Sequence, residues 1–249
     1  MTPEIEVFRD LDEMSHRAAE RFVEAAEETV AARRPFCAAL SGGSTPRVTF
    51  SLLATTDFAL RFPWTSTHFF QVDERAVPPD HRESNYRMVR EAMLDHAPLP
   101  PENFHRMRAE SQDLETAAHD YAHEIAAVMH PPGGAFPRFD LIQLGLGTNG
   151  HTASLFPESA ALDETRRWVV PNFVSEIDMW RMTMTYPVLN AAREIIFLVA
   201  DEDKADVLCR VLYPESPDDR FPAQGIAPRE GQLRWYLTET AARLLPKRL

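Results

Sequence analysis

Two stretches of this chain, Phe36-Cys-Ala-Ala-Leu40 and Ile195-Ile-Phe-Leu-Val-Ala200, are apolar at every position. Each is too short for a typical helix and lacks the polar alternation of a strand with one wet face. A strand buried on both faces reads this way, and such strands belong to parallel sheets with helices on either side. The rest of the chain supplies the matching partners. Strands are predicted over Ile5–Phe8, Thr67–Val72, Asp140–Gly145, Glu194–Ala200 and Arg234–Thr238. Between them lie helical patterns. The first starts at Asp10-Leu-Asp-Glu13, which has capping-box spacing, and runs through Ala18, Ala19, Phe22, Val23, Ala26 and Val30 to Arg34, where Pro35 breaks it. Thr45-Pro46 reads as an N-cap with proline at the first helical position, opening a helix to Leu53. Further helices are expected over Ser84–Leu94, Asp113–Met129 and Lys204–Leu212, with a last turn over Thr240–Leu245 and a proline-punctuated loop over Pro214–Gly231. Strand and helix alternating in this way predict an α/β fold with a mainly parallel sheet. With no repeat, low-complexity tract or linker, residues 1–249 are expected to form a single domain.

Acidic residues outnumber basic ones 38 to 26, a formal charge of −12. Nucleic acid or an anionic membrane surface as the main partner is therefore not expected, because either needs an excess of positive surface. An anionic substrate would need a local basic pocket in an acidic body. Among the bases only Lys204 and Lys247 are lysines, so arginine is the default cation and Lys204 is conspicuous. Cys37 and Cys209 lie in apolar stretches without CxxC spacing; two buried thiols in a reducing compartment are expected, with neither disulfide nor zinc. The opening MTPEIEVFRD is not a signal peptide, and no apolar run approaches the roughly 20 residues of a membrane span. The expectation is a soluble, cytoplasmic protein.

In open parallel sheets ligands bind beyond the carboxyl ends of the strands, and the segments there are unusual. Ser41-Gly-Gly-Ser-Thr-Pro46 joins a strand to a helix, offering N–H groups, two hydroxyls and a helix N-terminus to an anion; it lacks the GK[ST] of a triphosphate loop. Asp73-Glu-Arg75 puts charges directly after a strand, followed by Asp80-His81 and Ser84-Asn85-Tyr86. Gly145-Leu-Gly-Thr-Asn-Gly-His151 contains GxGxxG spacing. A dinucleotide reading fails there: a histidine follows the last glycine, Pro157 interrupts the helix, and no acid ends a strand about 20 residues on. What remains is a glycine-rich loop presenting His151, whose ordinary pKa near neutrality suits a general base. Arg181-Met-Thr-Met-Thr185 and Asp201-Glu-Asp-Lys204 complete the set. Lys204 opens a helix, where the dipole disfavours a cation, so an anion or a salt bridge to Asp201 or Glu202 is expected beside it.

Taken in order, SGGSTP at 41–46, VDER at 72–75, DHRESNY at 80–86, LGLGTNGHTASLFP at 144–157 and RMTMTYPVLNAA at 181–192 leading to DKADVL at 203–208 resemble the 6-phosphogluconolactonases of the glucosamine-6-phosphate isomerase/deaminase-like group. The resemblance implies a Rossmann-like α/β fold without metal or organic cofactor. It implies a carboxylic ester hydrolase that converts 6-phospho-D-glucono-1,5-lactone to 6-phospho-D-gluconate in the oxidative pentose phosphate pathway, as a monomer or homodimer. Carried over by motif, Gly42, Gly43, Ser44 and Thr45 hold the phosphate with Arg181 and Lys204; Arg75 contacts phosphate or lactone; His151 is the base; Gly147, Asn149 and Gly150 shape its loop. Asp73, with Glu74, is the place to seek a base should His151 be structural. Two positions depart from the pattern: Asn149 stands where an aspartate precedes the Gly-His pair, and Asp201 where a glycine precedes the lysine helix. The competing deaminase branch carries a glutamate immediately before the loop proline, where this chain has Phe156. A non-catalytic sugar-phosphate sensor is the alternative of a different class.

Overall fold

The computed structural model describes residues 3–216 and 220–246. The strands are β1 (Glu4–Phe8), β2 (Phe36–Leu40), β3 (Thr67–Gln71), β4 (Asp73–Arg75), β5 (Phe104–His105), β6 (Leu141–Leu144), β7 (Val169–Val174), β8 (Met179–Met184), β9 (Glu194–Val199) and β10 (Gln232–Thr238). The helices are α1 (Leu11–Ala31), α2 (Ser44–Leu53), α3 (Thr56–Ala59), α4 (Asn85–Val89), α5 (Leu114–Met129), α6 (Tyr186–Leu189), α7 (Ala205–Leu212) and α8 (Glu239–Ala242). Seven strands form one sheet in the order β1-β10-β9-β6-β2-β3-β5, and every neighbouring pair in it is parallel. That bears out the parallel sheet and the two-sided burial of its apolar runs.

The alternation of a strand's side chains assigns residues to two cores. Phe36, Ala38 and Leu40 face one side with Phe22 of α1 and Phe50 of α2, while Cys37 and Ala39 face the other with Phe70, Ile142 and Ile125 of α5. β9 divides likewise: Ile196 and Leu198 join the first core, Ile195, Phe197 and Val199 the second. α1 is tied to the sheet by Arg21, which reaches the buried Glu194 of β9 at 2.8 Å. Arg234 of β10 reaches the same carboxylate at 2.9 Å. Glu194 is thus paired from both sides, as a buried charge must be.

Several expectations need correction. α2 begins at Ser44 with Gly43 as its N-cap, so Thr45 is not the cap and Pro46 is the third helical residue, still within the first turn, where a missing N–H costs no helical bond. The helix expected over Ser84–Leu94 is α helix to Val89 and then a π turn over Arg90–Leu94. The helix expected from Lys204 begins at Ala205 with Lys204 as its N-cap, at the end of a 3-10 turn (Glu202–Lys204), and the partner of Lys204 is Asp203 at 3.1 Å, not Asp201 or Glu202. Cys37 is buried, but Cys209 is only half-buried. The loop read over 214–231 contains a 3-10 turn at Pro222–Gly225, and its residues 217–219, like Lys247, lie outside the described residues.

The largest difference is a second sheet. Asp73-Glu-Arg75 and the segment carrying Arg181, both read as loops, are strands of an antiparallel sheet ordered β4-β8-β7. Three polar residues carry no strand signal by themselves. They become β4 because β8 lies alongside and satisfies their backbone.

Candidate active site

The chain leaves β2 to cross toward β3 on one side and leaves β6 to cross toward β9 on the other, so the carboxyl ends of the adjacent strands β2 and β6 mark the switch point of the sheet. Chain segments diverging there open a crevice. A cleft of about 260 Å³ occupies it, lined by the Ser41–Pro46 loop, the loop after β6 with His151, the segment after β9 with Lys204, and Asp73, Arg75 and Arg181 from the small sheet. Glu74 does not line it, and of the residues carried over by motif all but Asn149 and Gly150 do. Those two lie in the turn behind His151, where Gly150 N–H donates to Gly147 O at 2.9 Å.

The loop after β2 is shaped from beneath. Gln143 of β6, fully buried, accepts from Ser41 N–H at 3.2 Å and Ser41 Oγ at 3.1 Å. Its amide nitrogen has no partner. Sequence reasoning passed over Gln143, although an amide inside the run Leu141–Leu144 was a visible signal. A side chain on Gly42 would sit 1.7 Å from Asn85 Oδ1, so only glycine lets the loop lie against that amide.

β4 and β8 deliver the arginines. Their register sets Arg75 directly opposite Arg181. Like charges facing across an antiparallel pair are destabilising. Both Nε atoms are buried without a partner among the described residues, and burial pushes Arg181 below its ordinary pKa. Asp73 relieves this only in part, its Oδ2 lying 3.9 Å from Arg181 Nη1. With Lys204 on the facing segment, the cleft gathers three cations, a local basic pocket of the kind an anionic substrate would need in an acidic body.

Asp73 is otherwise committed. Ser154 Oγ donates to it at 2.6 Å and Asn85 Nδ2 at 3.2 Å. Glu74 accepts five bonds, from Gln71 Nε2, Ser84 Oγ and the N–H groups of Arg75, Asn85 and Tyr86, which ties β4 to the start of α4. Neither carboxylate faces the cleft as a free base; both build it. Ser154, which sequence reasoning did not single out, also accepts Arg181 Nη1 at 3.4 Å and so joins the glycine-rich loop to both strands.

His151 is held on every side but one. Its Nδ1 lies 2.6 Å from Asn149 Oδ1, and its ring stacks on Phe156 with centroids 4.0 Å apart. The Arg181 guanidinium lies 5.3 Å from the other ring, Phe156. A Cβ on Gly147 would stand 2.0 Å from Nδ1, so this glycine is what lets the backbone pass the imidazole edge. Among the described residues no hydrogen bond engages Nε2. Burial first, then the charges of Arg181, Lys204 and Arg75, push the His151 pKa down to about 4. It is therefore neutral at pH 7, with a pKa well below the ordinary one expected of it.

A family described as glucosamine-6-phosphate isomerases/6-phosphogluconolactonase matches residues 9–235. The 6-phosphogluconolactonase of Synechocystis sp. is 37% identical over 241 residues, 97% of this chain and 98% of that protein. The human 6-phosphogluconolactonase is 38% identical over 247 residues, covering 97% of this chain and 93% of its own. Among solved structures, the 6-phosphogluconolactonase of Trypanosoma cruzi superposes with a TM-score of 0.86 at 30% identity, covering 98% of this chain and 97% of its own.

Proposed function

Since this chain belongs to the glucosamine-6-phosphate isomerase/6-phosphogluconolactonase family, we propose that its cleft hydrolyses 6-phospho-D-glucono-1,5-lactone to 6-phospho-D-gluconate, the lactonase step of the oxidative pentose phosphate pathway. One observation carries the reading: a neutral histidine with an unengaged Nε2 shares one small cleft with Arg75, Arg181 and Lys204.

The phosphate is taken by Arg181, Lys204 and the N–H groups of the Gly42–Thr45 loop at the start of α2, where the helix dipole adds to the charge. That anchors the far end of the substrate, and anchoring raises the rate only because it holds the C1 carbonyl beside His151. His151 Nε2 removes a proton from water as the water oxygen bonds to C1. Negative charge gathers on the former carbonyl oxygen, for which Arg75 is the nearby donor. The bond from C1 to the ring oxygen then breaks, and the imidazolium returns the proton to that oxygen. Each proton transfer is worth about 10²–10⁴-fold.

The deaminase alternative needs a second carboxylate beside the histidine. Phe156 occupies that neighbourhood as an aromatic face, and Asp73 is bound to Ser154 and Asn85. The two free thiols suit a reducing compartment, so the reading extends to a cytoplasmic enzyme, a monomer or homodimer with one domain over residues 1–249. The test is a coupled assay: lactone is generated by oxidising glucose 6-phosphate, and 6-phosphogluconate is timed with and without the protein. Acceleration over the spontaneous rate is expected, with much slower turnover of unphosphorylated gluconolactone and no ammonia from glucosamine 6-phosphate. No acceleration overturns the enzyme in favour of a sensor; comparable kcat/KM for the two lactones overturns the phosphate assignment.

A further inference from the structure

Behind His151 the hydrogen bonding continues beyond the cleft. Asn149 Oδ1 lies 2.6 Å from His151 Nδ1 and accepts the His151 backbone N–H at 3.2 Å. On its other side, Asn149 Nδ2 donates to Glu176 Oε2 at 2.7 Å. Glu176 belongs to the 3-10 turn Ser175–Ile177 that connects β7 to β8, the strand carrying Arg181. It is exposed and some distance along the sequence, so neither motif nor periodicity marks it.

The three groups have unequal freedom. An ionised carboxylate only accepts, an amide donates at one end and accepts at the other, and a neutral imidazole does one at each nitrogen. Glu176 therefore requires the NH₂ of Asn149 to face it. Oδ1 must then face His151, Nδ1 must carry the ring proton, and the lone pair is left on Nε2, in the cleft. Without Glu176, only the longer backbone bond opposes an amide flip. A flipped Asn149 would present NH₂ to Nδ1, move the ring proton to Nε2 and leave no base there. The carboxylate bond is the charge-assisted and shorter of the two constraints.

We infer that Glu176 is a positioning residue: through Asn149 it selects the Nδ1–H tautomer of His151. This rests on the proposed lactonase reading for its kinetic consequence, though not for its structural one. It also accounts for the departure at position 149. Where a carboxylate stands at 149, an oxygen faces the histidine whichever way it turns; where an amide stands there, a second, acceptor-only group has to orient it.

The experiment is nitrogen-15 NMR of the imidazoles at pH 7, with His151 assigned by comparison with His151→Ala, alongside lactonase kinetics. In the unaltered protein His151 is expected as a single Nδ1–H tautomer. Glu176→Ala should bring in the Nε2–H form and lower kcat about tenfold with KM little changed, a fraction of the roughly 10⁴-fold that full loss of tautomer control can cost. Adding Asn149→Asp to Glu176→Ala should restore both the tautomer and kcat, because that aspartate needs no orienting partner. The inference is overturned if Glu176→Ala keeps a single Nδ1–H tautomer, or if the double variant is no better than Glu176→Ala. An unaltered protein that shows the tautomer but no lactonase activity would count against the proposed reaction alone.

Discussion

His151 shows how a site can be set against the stability of the fold that holds it. Its pKa falls from 6.5 to about 4 on folding, by burial and by Arg181, Lys204 and Arg75. The unfolded chain then binds a proton that the folded chain refuses, so stability declines as pH drops from 6.5 toward 4. The gap corresponds to about 3 kcal/mol at most. His151→Ala removes that slope: relative to the unaltered protein it should gain stability in urea titrations at pH 4.5 while showing no such gain from this source at pH 8. The same variant should lose kcat by about 10²-fold or more. The acid limb of kcat/KM should fall near pH 4 rather than near 6.5, because only the neutral ring accepts a proton. A limb near 6.5 would mean that neither burial nor the cations act on the ring in the free enzyme. The identity of His151 was legible in the sequence because a histidine ending a glycine-rich loop at a strand edge is unusual. Its altered pKa was not, because the burial and the charges responsible come from segments far apart in the chain.

At the scale of elements, the antiparallel pairing of β4 with β8 sets which charges the cleft holds. Its register makes Arg75 and Arg181 face one another. An anion between or beside them relieves the repulsion, so binding and folding are coupled. At a hundredfold excess over Kd, the product 6-phosphogluconate should stabilise the protein by about 2.7 kcal/mol. That is a rise in Tm of roughly 5–10 °C for a chain of this size. Gluconate without the phosphate should give almost none, and Arg181→Ala should abolish most of the shift; an equal response to gluconate would remove the phosphate from the account. These strands were the least legible part of the fold. β4 has three residues, all charged, and β7 carries Pro171. The pairing of β4 with β8 depends on a register between segments about a hundred residues apart, which local pattern cannot report. By contrast β2 and β9, buried on both faces, were plain from composition alone.

In the molecule as a whole, one sheet separates two cores, and the buried charge on β9 is matched from both sides. Glu194 on β9 meets Arg21 from α1 and Arg234 from β10, and Arg21 is itself shared with Glu24 and Glu28. Arg21→Ala leaves Glu194 with one partner in place of two. It should cost somewhat less than the about 3–5 kcal/mol of a fully broken buried pair, read as a lower urea midpoint, with kcat/KM unchanged since none of the three residues lines the cleft. The order of the sheet has a further consequence. β1 pairs only with β10, Glu4 against Arg234 through Phe8 against Thr238. During synthesis β1 therefore has no strand of this sheet to pair with until β10 has emerged. β9, made shortly before β10, has one edge bare for the briefer interval between them. Vectorial synthesis can assemble the sheet from β2, β3 and β6 outward, but not that margin. Its closure is a late event, and the interval before it is when a nascent chain of this kind most needs shielding from its neighbours.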